Sequence, residues 1–143
     1  MMKLTHILQK TAHQFPERPG ITYEARTPTW SEVLARCETL AGCLKRQGLE
    51  AGDRLAIISH NSSVMAELFY GPLWLGAVPV PLNWRWTLQE LLPCVEDCQP
   101  VALAADDAGV EVARALQRQC PALRTLIYIG SGEVPEGCVD YEC

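Results

Sequence analysis

Between Arg54 and Ile129 short apolar runs of strand length alternate with segments of helical period, and this alternation limits the fold more than any other feature. Leu55 to Ile58 is an uninterrupted apolar run, as expected of a strand buried on both faces. Val64 to Leu75 then has helical length, contains Pro72, and meets a stop at Gly76. Ala77 to Leu82 predicts a second strand, whose Pro79 and Pro81 lack amide donors, so that it should lie at a sheet edge or expose the donor side of those positions. Thr87-x-x-Glu90 is a capping box that opens a helix to about Cys98, with Pro93 as an expected distortion. Val101 to Ala105, Ala108 to Gln119 and Thr125 to Ile129 complete the series as strand, helix and strand. The pattern predicts an α/β fold, a mostly parallel sheet with right-handed crossover helices.

Before this unit, Leu4, Ile7, Leu8, Ala12 and Phe15 fall at helical spacing, ended by Pro16 and Pro19-Gly20. Ile21 to Ala25 and Thr29-Trp30 suggest a small β-hairpin around Arg26-Thr27-Pro28. Thr29-x-x-Glu32 is another capping box, leading into the stripe Val33, Leu34, Cys37, Leu40, Ala41 and Leu44, which Gly48 closes. After it, residues 130–143 (GSGEVPEGCVDYEC) have no period and read as a loop or flexible tail. With 143 residues, a single domain over 1–143 is long enough to bury a substantial core.

Charge and composition exclude several classes of function. The twelve Lys and Arg are scattered and the formal net charge is −5, so no nucleic-acid footprint exists. The longest apolar stretch, Val64 to Leu82, is interrupted by Glu67, two glycines and three prolines, which makes it a poor membrane span. The opening MMKLTHILQK lacks the apolar core of a secretion signal, so a cytoplasmic location is expected. The seven cysteines accordingly read as reduced thiols.

Few residues suggest chemistry. Cys94 and Cys98 could share a helical face, but two further metal ligands at recognisable spacing are missing, and ordinary thiols are the better reading. His6 and His13 lack partners of ligand type and read as exposed. His60-Asn61-Ser62-Ser63, between a strand and a helix, has the position of a phosphate site without its glycines, so helix capping is favoured. Gly130-Ser131-Gly132 lacks both a third glycine and a following helix. Arg85 stands between two indoles in Asn83-Trp84-Arg85-Trp86, a setting that suits either grip on a phosphate or, as the residues alone favour, a bond to a local carbonyl or carboxylate.

Thr29-Trp30-Ser31-Glu32-Val33, Ala51-Gly52-Asp53-Arg54-Leu55-Ala56-Ile57, Asn61-Ser62, Leu75 to Asn83, and Arg85 with Glu90-Leu91 occur here in one order. That order resembles the amino-terminal portion of the AMP-forming acyl-CoA synthetases, adenylate-forming enzymes that include luciferases and peptide-synthetase adenylation domains. The resemblance covers about residues 4 to 130. It implies a parent acyl-CoA or aryl-CoA ligase that uses ATP and Mg²⁺ to convert a carboxylic acid to an acyl adenylate and then transfers the acyl group to CoA.

The family's phosphate loop, ribose-binding acid and carboxy-terminal lysine have no counterpart here, so the resemblance implies an amino-terminal fragment, inactive alone, whose partner is the remainder of the ligase. No catalytic residue and no metal ligand carries over. Arg85 matches an arginine that in some aryl-CoA ligases approaches the nucleotide phosphate of CoA, although Trp84 and Trp86 replace the family's more usual proline and leucine. No tight binding of ATP, Mg²⁺ or CoA to the fragment is expected, and a homodimer is compatible with it. The alternative is a non-catalytic, stand-alone interaction or regulatory module derived from the same fold.

Overall fold

A computed structural model describes residues 3–142. In chain order the elements are α1 (Leu4–Gln14), α2 (Trp30–Arg46), β1 (Arg54–Ile58), α3 (Ser63–Leu75), β2 (Val78–Leu82), α4 (Leu88–Cys98), β3 (Ala102–Ala105), α5 (Val110–Gln119), β4 (Thr125–Tyr128) and β5 (Cys138–Asp140). The five strands form one sheet in the order β2-β1-β3-β4-β5, and every neighbouring pair is parallel. The expected α/β class is thus observed.

Because successive side chains of a strand point to opposite faces, the apolar runs divide between two cores. Leu55 and Ile57 of β1, with Ala102 and Ala104 of β3, pack against Leu40 and Leu44 of α2 and Leu68 of α3. Ala56, Ile58, Leu103 and Ala105 face the other way, onto Leu91 and Val95 of α4 and Ala113 and Leu116 of α5. The sheet is therefore the middle of three layers, which explains why β1 and β3 show no polar alternation. A third cluster, built on Leu8, Val33 and Cys37, seats α1 on α2.

Local chemistry accounts for the boundaries. Glu32 Oε2 accepts the Thr29 N–H at 2.7 Å while Thr29 Oγ1 accepts the Glu32 N–H at 3.3 Å, closing the capping box of α2. Ser62 caps α3 by accepting the Met65 N–H at 3.1 Å. Gly76 ends α3 with φ of 76°, a conformation that favours glycine. β2 is an edge strand, one of the two placements its prolines allow, and among the described residues it has no second neighbour that could use the missing amides.

Several expectations need correction. The hairpin near residue 25 reduces to two isolated antiparallel bridges, Pro19 with Thr29 and Tyr23 with Arg26, and Trp30 is already the first residue of α2. Instead of leaving the fold, the stretch expected as a loop or tail over 130–143 returns to the sheet as β5, pairing Cys138 with Leu126 and Asp140 with Tyr128. Helix α4 runs through Pro93 without interruption. Only part of the apolar stripe of α1 is covered: Leu8 and Ala12 are buried while Leu4, Ile7 and Phe15 are exposed. Cys37, Cys94, Cys98, Cys120 and Cys138 are free, but Cys43 is disulfide-bonded, contrary to the reading of every cysteine as a reduced thiol. Among the described residues no helix is long and apolar enough to cross a membrane.

Candidate functional site at the carboxyl ends of the strands

From β1 the chain steps outward to β2 and then crosses back to β3 on the other side, so the order of the sheet reverses at β1. In open α/β sheets the crevice at the carboxyl ends of such strands is where ligands bind. Here Ser59-His60 follow β1, Asn83 to Trp86 follow β2, Asp106-Asp107 follow β3 and Ile129 to Gly132 follow β4.

Asp106 ties the ends of β1 and β3 together. Its Oδ1 accepts the N–H groups of Ala108 and Gly109, each at 3.1 Å, which turns the chain toward α5. Its Oδ2 accepts the His60 N–H at 2.9 Å and the Ser59 hydroxyl at 3.3 Å, and lies 2.7 Å from His60 Nδ1. An ionised carboxylate can only accept, so Nδ1 carries the imidazole proton. Burial pushes the Asp106 carboxyl up, but the hydrogen bonds from the His60 amide and ring and the Gly109 amide outweigh it, and the net shift is downward. Gly109 permits this approach, since a Cβ there would lie 2.7 Å from the Ile58 carbonyl oxygen.

On its outer side the His60 ring meets Trp84, with centroids 3.9 Å apart and planes tilted by 41°. Arg85 Cζ in turn lies 4.6 Å from the centre of the Trp84 ring. Asn83 Oδ1 accepts the Arg85 N–H at 3.0 Å and sets the corner. Among the described residues the Arg85 guanidinium has neither an ion-pair partner nor a hydrogen-bonded carbonyl, so the local tie favoured from sequence is absent: the side chain is fixed from one face by an indole and its donors are open. Trp86 is 40% exposed beside it.

Gly130-Ser131-Gly132 serves the fold. The Tyr128 hydroxyl donates to Asp107 Oδ1 and accepts the Gly132 N–H at 2.9 Å, while a side chain at Gly130 would overlap that hydroxyl. The bond to Asp107, aided by burial, raises the Tyr128 phenol above its ordinary range. In His60-Asn61-Ser62-Ser63 the capping reading holds for Ser62, whereas His60 is engaged by Asp106, which sequence reasoning missed. An acid directly after the fully apolar run Ala102 to Ala105, and just before a helix, was the available signal.

Away from this edge, Arg36 joins α2 to α3 and to the end of the chain. Its Nε donates to Glu67 Oε1 at 2.7 Å and its Nη2 to Glu142 Oε1 at 2.8 Å, and the Tyr141 hydroxyl donates to Glu67 Oε2. These oxygens and donors satisfy one another. Cys94 is engaged with the Glu90 carbonyl at 3.9 Å, and among the described residues no three His, Cys, Asp or Glu are grouped to hold a metal ion.

A family model described as AMP-binding enzyme matches residues 8–141. The chain is 29% identical to a fatty acid–[acyl-carrier-protein] ligase of Streptomyces coeruleorubidus over 83% of its own length and 22% of that protein. To an indoleacetate–CoA ligase of Aromatoleum aromaticum it is 26% identical, over 99% of this chain and 27% of the relative. It superposes with a TM-score of 0.92 and 26% identity on a Rhodopseudomonas palustris protein assigned as a long-chain-fatty-acid CoA ligase, covering 99% of this chain and 35% of that one. The amino-terminal domain of FACL13 from Mycobacterium tuberculosis gives a TM-score of 0.83 at 26% identity, over 92% and 34% of the two chains. The chain thus spans between 22% and 27% of these two curated relatives.

Proposed function

Since this chain belongs to the AMP-binding enzyme family, we propose that it forms the amino-terminal part of an AMP-forming acyl-CoA or aryl-CoA ligase, in which Arg85 contacts a phosphate of CoA. The overall reaction couples a carboxylic acid to ATP, releasing pyrophosphate, and then exchanges AMP for the CoA thiol. Support for the ligase comes from the relatives, among them the indoleacetate–CoA ligase. Support for Arg85 comes from its open guanidinium at the carboxyl edge of the sheet, held over Trp84. A planar guanidinium restrained in this way presents paired N–H donors to a phosphate with little further loss of rotamer freedom.

The residues of this chain do not fit a site for ATP and Mg²⁺. No glycine-, serine- and threonine-rich phosphate loop is present, and the described acids of the carboxyl edge are committed: Asp106 to His60 and α5, Asp107 to Tyr128 and Ser131. Adenylate chemistry therefore belongs to the remainder of the ligase. What this chain contributes is a rigid sheet edge and one cation for CoA.

Two measurements test the reading. Joined to the rest of its ligase, the protein should release AMP and pyrophosphate only when a carboxylic acid is supplied, and form a thioester only when CoA is added; release of ADP and phosphate would contradict it. Calorimetric titration of the 143-residue chain with ATP and Mg²⁺ should show no saturable binding, and micromolar affinity would overturn the division of labour.

A further inference from the structure

The corner that carries Arg85 follows an edge strand and, among the described residues, has no neighbouring strand on its outer side. Its backbone is set by a bond within the corner, from the Arg85 N–H to Asn83 Oδ1, which leaves open what fixes the corner relative to the rest of the sheet. His60 supplies that link. Its main-chain N–H and its Nδ1 are both engaged by Asp106 Oδ2, at 2.9 and 2.7 Å, so the ring is anchored to the end of β3. The free face of the ring then meets Trp84 at 3.9 Å, and Trp84 carries the Arg85 guanidinium at 4.6 Å.

We infer that His60 is a positioning residue for Arg85, transmitting the fixed location of Asp106 through its ring and the Trp84 indole to the guanidinium that binds phosphate. The bland alternative is that His60 and Asp106 merely join β1 to β3. That alternative requires the hydrogen bond but not the ring contact. Positioning requires the ring contact, because a tilted aromatic pair restrains the indole in a way that a hydrogen-bonding side chain of similar reach cannot, while the main-chain N–H of residue 60 keeps its bond to Asp106 even without the imidazole donor. The inference rests on the reading of Arg85 as a CoA contact, but the order of the corner can be measured without CoA.

The test compares H60N, which keeps a donor for Asp106 and removes the ring, with H60F, which keeps a ring and removes the donor. Because the His60 side chain is 50% exposed, neither change opens the core. In the ¹⁵N-labelled chain, H60N should lower the heteronuclear Overhauser effect at the Trp84 indole and at Arg85 Nε while leaving the Trp30 and Trp74 indoles unchanged. H60F should restore most of that order. With CoA as the probe, the dissociation constant read at Arg85 should rise by about three- to fivefold in H60N, the equivalent of one exposed cation–π contact. W84L should reproduce the loss from the other side of the contact.

Unchanged order at Trp84 and Arg85 in H60N, or equal behaviour of H60N and H60F, would overturn the inference. Loss of order in H60N together with an unchanged KM for CoA in Arg85→Ala of the proposed parent ligase would support the positioning role and overturn the CoA reading instead.

Discussion

Glu67 Oε1 accepts a hydrogen bond from Arg36 Nε at 2.7 Å across the α2–α3 interface, and the glutamate side chain is only 4% exposed. A carboxylate in that position depends on its partners, because removing one of them leaves a buried charge uncompensated. Arg36→Leu is expected to destabilise the chain by about 3 kcal/mol, the lower end of the range for a broken buried pair, because the arginine itself is partly exposed. Arg36→Leu with Glu67→Leu should be less damaging than the arginine change alone. Urea denaturation of the four members of this cycle checks both statements, and a loss below about 0.5 kcal/mol for the single change would contradict them.

Asp106 gives the fold an acid-dependent element. Its carboxyl is held below its ordinary value of 3.8, so its ionised form contributes stability that is present above that value and lost as the pH falls through the depressed folded value. Asp106→Asn should cost about 1 to 2 kcal/mol at pH 7, the worth of the charge-assisted bonds to His60. That difference should shrink as the pH drops below 3.8, because the unsubstituted protein then loses the same contribution. Denaturation midpoints at pH 3 and pH 7 provide the comparison, and a constant difference would be contrary to this assignment.

Cys37 is buried between α1 and α2, and burial, reinforced by the charge of Glu67, pushes its thiol from an ordinary 9.0 to about 12. The folded protein should therefore leave Cys37 unlabelled by iodoacetamide at pH 8 while the partly exposed Cys94 reacts. Peptide mapping after timed labelling distinguishes the two sites. The raised value also implies stability that is complete below pH 9.0 and lost as the pH rises toward 12. Equal labelling rates at Cys37 and Cys94 would show that the site opens readily.

Most of the scaffold was legible because its signals are local. The run Leu55 to Ile58, the capping boxes at Thr29 and Thr87, and Gly76 each declare an element within a few residues. What escaped was non-local. β5 has three residues, Cys-Val-Asp, with no recognisable period, and exists through pairing with β4. Glu67 looked like an interruption in an apolar helix until Arg36 and Tyr141 approached it from 31 residues before and 74 after. The candidate site follows the same rule: Arg85 was found from its indole neighbours, whereas His60 and Asp106 meet over 46 residues.

The most direct measurement separates the two half-reactions of the proposed parent ligase. With Arg85→Ala, the KM for CoA should rise by about 10- to 100-fold, the equivalent of one or two charge-assisted bonds to phosphate, and carboxylate-dependent pyrophosphate release should stay within about twofold. Parallel loss in both half-reactions would assign Arg85 to the fold, and an unchanged KM for CoA would remove it from the site.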